Sequence, residues 1–178
     1  FGVSPCVIAG LELAQGDGVV YMDADLQDPP EVLSEMIALK IQDPAVEVIH
    51  TVRTSRKGEF VLKLWITKIG YYILNKLASI PLPVEAGDFK FLSRRAVDQL
   101  LQLKECRPYM RGLVCWIGFK QGQIEYHRDK RFAGKTKFRI FSMDVFSNFF
   151  GSALISFSSV PLRIASFLGL FTIFIDFI

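Results

Sequence analysis

The sequence predicts an α/β fold built on a mostly parallel sheet, and three observations carry that prediction. A short apolar run, Val19-Val20-Tyr21-Met22, stops abruptly at Asp23, as a buried strand does when turn residues bound it. A second β-rich run follows from Val46 to Val52. Before and between these runs, apolar residues recur at helical spacing, and strands alternating with helices make βαβ units.

Taken in order, Ser4 to Gln15 carries Val7, Ile8, Leu11 and Ala14 at helical spacing, and Gly16-Asp17-Gly18 turns the chain into the first strand. A helix is expected from Pro30 to about Gln42, with Leu33, Met36, Ile37 and Ile41 on its packed face. Asp28 stands before Pro29-Pro30 as a candidate cap, and Asp43-Pro44 breaks the helix. After the second strand a long amphipathic helix has Phe60, Leu64, Trp65, Lys68, Ile69, Tyr72 and Leu77 near one stripe, ending by Pro81-Leu82-Pro83. Gly87-Asp88 opens a short strand from Phe89 to Leu92. Ser93 is placed to cap a helix from Arg94 to Leu103 that buries Ala96, Val97, Leu100 and Leu101. A short helix from Tyr109 to Ile117 and a strand from Phe119 to Tyr126 complete the domain.

The stretch YMDADLQDPPE, Tyr21 to Glu31, is where chemistry is expected. In extended backbone, residues at two-residue spacing project to one side, so Asp23, Asp25 and Gln27 can converge at a strand's carboxyl end. Open α/β sheets bind ligands there. Oxygen-only donors suit a hard cation, Mg²⁺ or Mn²⁺, that also binds substrate phosphates. Two aspartates after a strand can equally form only a turn. An EF-hand is disfavoured because two prolines stand where its loop glycine belongs. Arg53, Arg56 and Lys57 follow the second strand and can face anionic oxygens, or be a solvated loop. The segment HRDKRFAGKTKF, His127 to Phe138, gathers Arg128, Lys130, Arg131, Lys135 and Lys137 against the single acid Asp129. It suits a phosphate at a membrane surface, or a basic patch that only anchors.

The string DADLQDPPE resembles the metal-binding segment of polyprenyl-phosphate glycosyltransferases, GT-A fold enzymes of family two that include bactoprenol glucosyltransferases and dolichyl-phosphate mannose synthase. The resemblance continues in order through RTSRKGE, GDFKFLSRR, RGLVCWIGFKQ, RFAGKTKF and FSSVPLR, nearly the whole chain. It implies a partial GT-A domain over residues 1–138, a juxtamembrane amphipathic helix over 139–160, and the start of a transmembrane helix over 161–178. It also implies inverting transfer of a hexose from a nucleotide sugar to a polyprenyl phosphate on the cytoplasmic face of the cell (inner) membrane. Asp23, Asp25 and Gln27 would hold the divalent metal on the donor diphosphate, with Arg53 and Arg56 as donor contacts. Arg131, with Arg128 and Lys135, would hold the acceptor phosphate; Asp88 is the family's candidate base. A phosphate monoester has a second pKa near ~6 and is already largely ionised, so Asp88 has little proton to remove. The flanks of RGLVCWIGFKQ and FSSVPLR favour UDP-glucose as donor, and a homo-oligomer stays open. A processive membrane polysaccharide synthase is the alternative enzyme, though its QxxRW string does not occur. An inactive membrane-anchored binding fragment is the alternative outside enzymes.

Composition agrees. The chain has 178 residues, 51% hydrophobic and 13% aromatic, with its 16 Phe concentrated after position 132. A net charge of +3 gives no reason to expect a nucleic-acid partner. Cys6, Cys106 and Cys115 are odd in number and lack CxxC spacing, which points away from disulfides and zinc and fits a reducing cytoplasm. His50 and His127 are expected to be structural or surface residues. In the region from Arg139 to Phe157, Phe146, Phe149, Phe150, Ala153 and Phe157 share one side of a helix suited to a lipid interface. The apolar run that follows Arg163 is shorter than the about 20 residues a span needs. Phe1 and the closing Asp176-Phe177-Ile178 suggest an internal piece, without the first strands and the later transmembrane part.

Overall fold

The computed structural model describes residues 2–25, 27–54, 69, 72, 75–77, 86–105, 108–127 and 157–176. Its elements are α1 (Val3–Leu13), β1 (Gly18–Tyr21), α2 (Val32–Gln42), β2 (Val48–Arg53), β3 (Ala86–Ser93), α3 (Arg94–Gln102), α4 (Met110–Trp116), β4 (Gln121–Tyr126) and α5 (Val160–Asp176). The four strands form one sheet in the order β1-β3-β2-β4. β2 and β4 pair in parallel, whereas β3 pairs antiparallel with both β1 and β2. Three strands therefore share a direction, as expected, but the strand inserted between two of them is reversed. The result is a mixed sheet of a partial GT-A fold.

Helices cover both faces of the sheet. Strand alternation divides the side chains into two cores. On one face Leu11, Val48, Leu92, Val97, Leu100 and Val114 join α1, α3 and α4 to the sheet. On the other, Val32, Met36, Ile49, Phe89, Phe91 and Ile124 seat α2. Ser93 caps α3 as expected, its hydroxyl accepting from the Ala96 amide at 3.1 Å.

α2 departs from expectation in both its start and its packed face. It begins at Val32 behind Glu31, whose side chain makes no cap bond, and Asp28 is buried elsewhere. Val32 and Met36 are the buried side chains, with Leu39 half-buried alongside, while Ile37 and Ile41 are 52% and 73% exposed. The reason lies across the interface. Gly122 of β4 lets the sheet come close, and a side chain there would run into Leu39 Cδ2 at 2.9 Å and Val46 Cγ1 at 3.1 Å. The stripe that fits this gap is the one that packs.

Most of the expected helix from Phe60 to Leu77, and residues 139–156, lie outside the described residues. Phe157 does not join an outward apolar side. It is buried in the core beside Tyr109, with ring centroids 6.2 Å apart, over Gly112, where any side chain would collide with its ring. α5 has no buried residue and exposes Leu162, Phe167, Leu170, Phe171 and Phe174. Among the described residues no helix is long and apolar enough to cross a membrane.

Candidate active site

Two sequence-predicted residues, Arg53 and Asp88, come together at one end of the sheet, where β1 and β2 finish. β1 and β3 run in opposite directions with Tyr21 opposite Lys90. The ladder ends there, and Asp23 follows two residues past the end of β1 at this same end of the sheet. Arg53 ends β2 opposite Tyr126 of β4. Its guanidinium lies over Gly87, with Nη2 3.1 Å from where a side-chain carbon would stand. Glycine at position 87 thus leaves room for Arg53 beside Asp88. Asp28, whose expected place was the helix cap, is instead 2% exposed and accepts a hydrogen bond from the Tyr126 hydroxyl.

Asp88 is held by Arg111 of α4 in a two-point contact. Arg111 Nε donates to Oδ1 at 2.8 Å and Nη2 to Oδ2 at 2.6 Å, with both side chains 30% exposed. Such fork-to-fork pairs fix direction as well as distance. Burial raises the Asp88 pKa, but the Arg111 bonds and the charges of Arg111, Lys90 and Arg53 outweigh it and hold the carboxyl below its ordinary value. A carboxylate so held is a poor proton acceptor and a well-oriented hydrogen-bond acceptor.

The metal-candidate loop has left the strand by Asp23. Asp23, Asp25 and Gln27 are each half-buried. The Gln27 main-chain N–H donates to Asp25 Oδ1 at 3.2 Å, which makes the local turn. Among the described residues no three His, Cys, Asp or Glu side chains form a metal cluster. The donor chemistry still fits Mg²⁺ or Mn²⁺, which take one or two carboxylates and complete their shell with water and substrate phosphate. An apolar-walled cavity of about 840 Å³ between α1 and β1 reaches this loop, with Val19, Tyr21, Asp23 and Ala24 in its lining.

Arg56, Arg128, Arg131 and Lys135 lie outside the described residues. Cys6 and Cys115 are free thiols. His50 is structural, as expected: it is 1% exposed, bonded through Nε2 to Gln121 Oε1 at 2.8 Å. Burial, then the charge of Lys90, lower its pKa to about 4 against the opposing Gln121 bond.

Arg111 and Lys90 belong to the site without a motif that announces them. Nothing local marks Arg111, whose partner is in a different element. Lys90 does leave a trace, a lone cation inside Phe89-Lys90-Phe91-Leu92, on the same side of the strand as Asp88.

Comparison with known proteins shows the family. Residues 1–101 match glycosyl transferase family 2. The chain is 41% identical over 170 residues to the uncharacterized glycosyltransferase YkcC of Bacillus subtilis (strain 168), covering 96% of this chain and 51% of that one. It is 34% identical over 178 residues to the bactoprenol glucosyl transferase of Shigella phage SfV, covering 100% of this chain and 56% of that protein. An uncharacterized glycosyltransferase of Synechocystis, sll0501, is 34% identical over 169 residues, covering 95% and 52%. The chain belongs to glycosyl transferase family 2. It spans about half the length of the curated relatives it matches.

Proposed function

We propose that the full-length protein transfers a hexose, glucose in the first instance, from a nucleotide sugar to a polyprenyl phosphate at the cytoplasmic face of the cell membrane, with inversion. The observation that carries the reading is Arg53 lying over Gly87 beside Asp88, at the sheet end from which Asp23 follows β1. Whole-chain similarity to a bactoprenol glucosyl transferase supports the acceptor and the sugar.

Asp23 and Asp25, with Gln27 alongside, would hold Mg²⁺ or Mn²⁺. A divalent ion there supplies charge neutralisation for a departing diphosphate. Arg53, with Arg56 from the sequence, would contact the same oxygens as cations. Asp88, kept ionised and aimed by Arg111, orients a sugar hydroxyl instead of removing a proton, because the acceptor phosphate is already an anion at neutral pH. Arg131, Arg128 and Lys135 take the acceptor phosphate, since their loop runs directly into the Phe-rich segment that seeks the membrane.

The test is transfer by the full-length protein to undecaprenyl phosphate from a panel of nucleotide sugars, with Mg²⁺ or Mn²⁺. UDP-glucose is expected to lead. Asp25→Asn is expected to abolish transfer while leaving thermal unfolding unchanged, and full activity in that variant or in chelator would remove the metal from the scheme. Arg131→Ala is expected to weaken acceptor KM or kcat by roughly ten- to a hundredfold, from losing a charge-assisted contact of about 1.5–3 kcal/mol. Nucleotide-sugar binding without acceptor should stay as in the parent.

A further inference from the structure

Lys90 is the least expected side chain in the core. It sits in the middle of β3, between Tyr21 of β1 and His50 of β2, and is 0% exposed. Among the described residues no carboxylate lies within ion-pair distance of its ammonium, and its only hydrogen bond goes to the main-chain carbonyl of Gly87. An ammonium has three donors. Burying one with a single neutral partner is unfavourable, and an apolar side chain of similar volume would leave such a site as stable or more so. The fold does not need a cation here.

What Lys90 does reach is the peptide that carries Asp88. Its bond closes a loop from position 90 back to the carbonyl of position 87. That carbonyl belongs to the peptide linking Gly87 to Asp88, at the residue whose missing side chain admits Arg53. Arg111 grips the same aspartate from the other end, by its carboxylate. Gly87 and Asp88 lie in β3 where its register with β2 shifts between His50 and Val52, so the ladder holds this peptide irregularly and the Lys90 bond adds a restraint.

We propose that Lys90 is a positioning residue for Asp88: its ammonium clamps the Gly87 carbonyl while Arg111 clamps the carboxylate, so the aspartate is presented in one orientation. The inference rests on the reading of Asp88 as a contact to the transferred sugar. Burial draws the ammonium down to about 8, against the opposing pull of Asp88, so at neutral pH it is still largely charged and donating.

The experiment compares Lys90→Met and Lys90→Arg with the parent in the full-length protein. Lys90→Met keeps the volume and removes the cation. It is expected to keep or raise the unfolding midpoint, to lower kcat tenfold or more, and to leave the donor KM within about threefold. Lys90→Arg restores a donor and a charge and is expected to recover most of kcat. A Met variant with parental kcat overturns the proposal. So does one whose kcat falls only together with its thermal stability, the mark of a merely structural lysine. A second readout needs no substrate, so it survives even if no donor is ever turned over. The Asp88 main-chain amide, which belongs to the clamped peptide, should exchange its proton faster in Lys90→Met when followed by NMR, and unchanged protection overturns the clamp independently of any assigned reaction.

Discussion

Arg111 decides what Asp88 can do. With its guanidinium bound through both Nε and Nη2, the carboxylate keeps its charge below its ordinary titration range and points where α4 directs it. Arg111→Met leaves that half-buried carboxylate without its donor, a loss of roughly 1–3 kcal/mol. The variant should unfold at lower urea, and its Asp88 should titrate at higher pH. His50 sets a second acid dependence. Its folded-state pKa is about 4, below the ordinary 6.5, because burial and Lys90 disfavour the imidazolium. The unfolded chain therefore takes the proton first, so this contribution is whole above about 6.5 and is lost as pH falls towards 4. Asp88, also lowered, adds to the loss once pH drops below the ordinary carboxylate range. Urea midpoints measured from pH 7 to 4 should fall through this window, and His50→Gln should flatten the upper part of the decline.

At the scale of elements, the helices and strands were legible where one period ruled and one face was buried. α1, β2 and α3 are close to expectation, and the Ser93 cap could be read from its position ahead of an apolar stripe. α2 was misread because it carries two overlapping apolar stripes, and periodicity alone does not say which one faces the sheet. Gly122 made that choice from a strand eighty or so residues away. The reversal of β3 was also hidden, since a buried strand reads the same in either direction. The aspartates at the end of β1 were legible as a string of donors. The Asp88–Arg111 pair was not, because it joins a strand to a helix with no motif between them. Gly112 gives a test of this packing. It is where the Phe157 ring rests, so Gly112→Ala overpacks the core and should cost about 1–3 kcal/mol in chemical unfolding. Adding Phe157→Leu to that variant should return part of the loss. Ile37→Ser and Ile41→Ser, on the outer stripe, should each stay within about 0.5 kcal/mol of the parent.

At the scale of the molecule, the polar chemistry and the apolar surface lie in different parts of the chain. The site residues end β1 and β2 and open β3, whereas α5 presents exposed Leu, Ile and Phe along its length. A patch of that kind marks a contact surface, and a lipid interface suits its composition. A chain stopped at Lys137 should sediment less with liposomes of anionic lipid than the chain through Ile178, and equal sedimentation would remove this segment from membrane attachment.

The reversed strand has a consequence for how the protein is made. Every ladder among the described strands uses β3 or β4, so β1 and β2 meet none of their described partners until Ala86–Ser93 has been synthesised. Phe157 delays completion further, because the ring that covers Gly112 arrives after all four strands. A growing chain therefore carries β1 and β2 out of the ribosome with the strand that lies between them, β3, still unmade. Nascent chains arrested with Val52 exposed should be protease-sensitive and held by chaperones. Resistance should appear only after Ser93 has emerged, and rise again once Phe157 has cleared the exit tunnel.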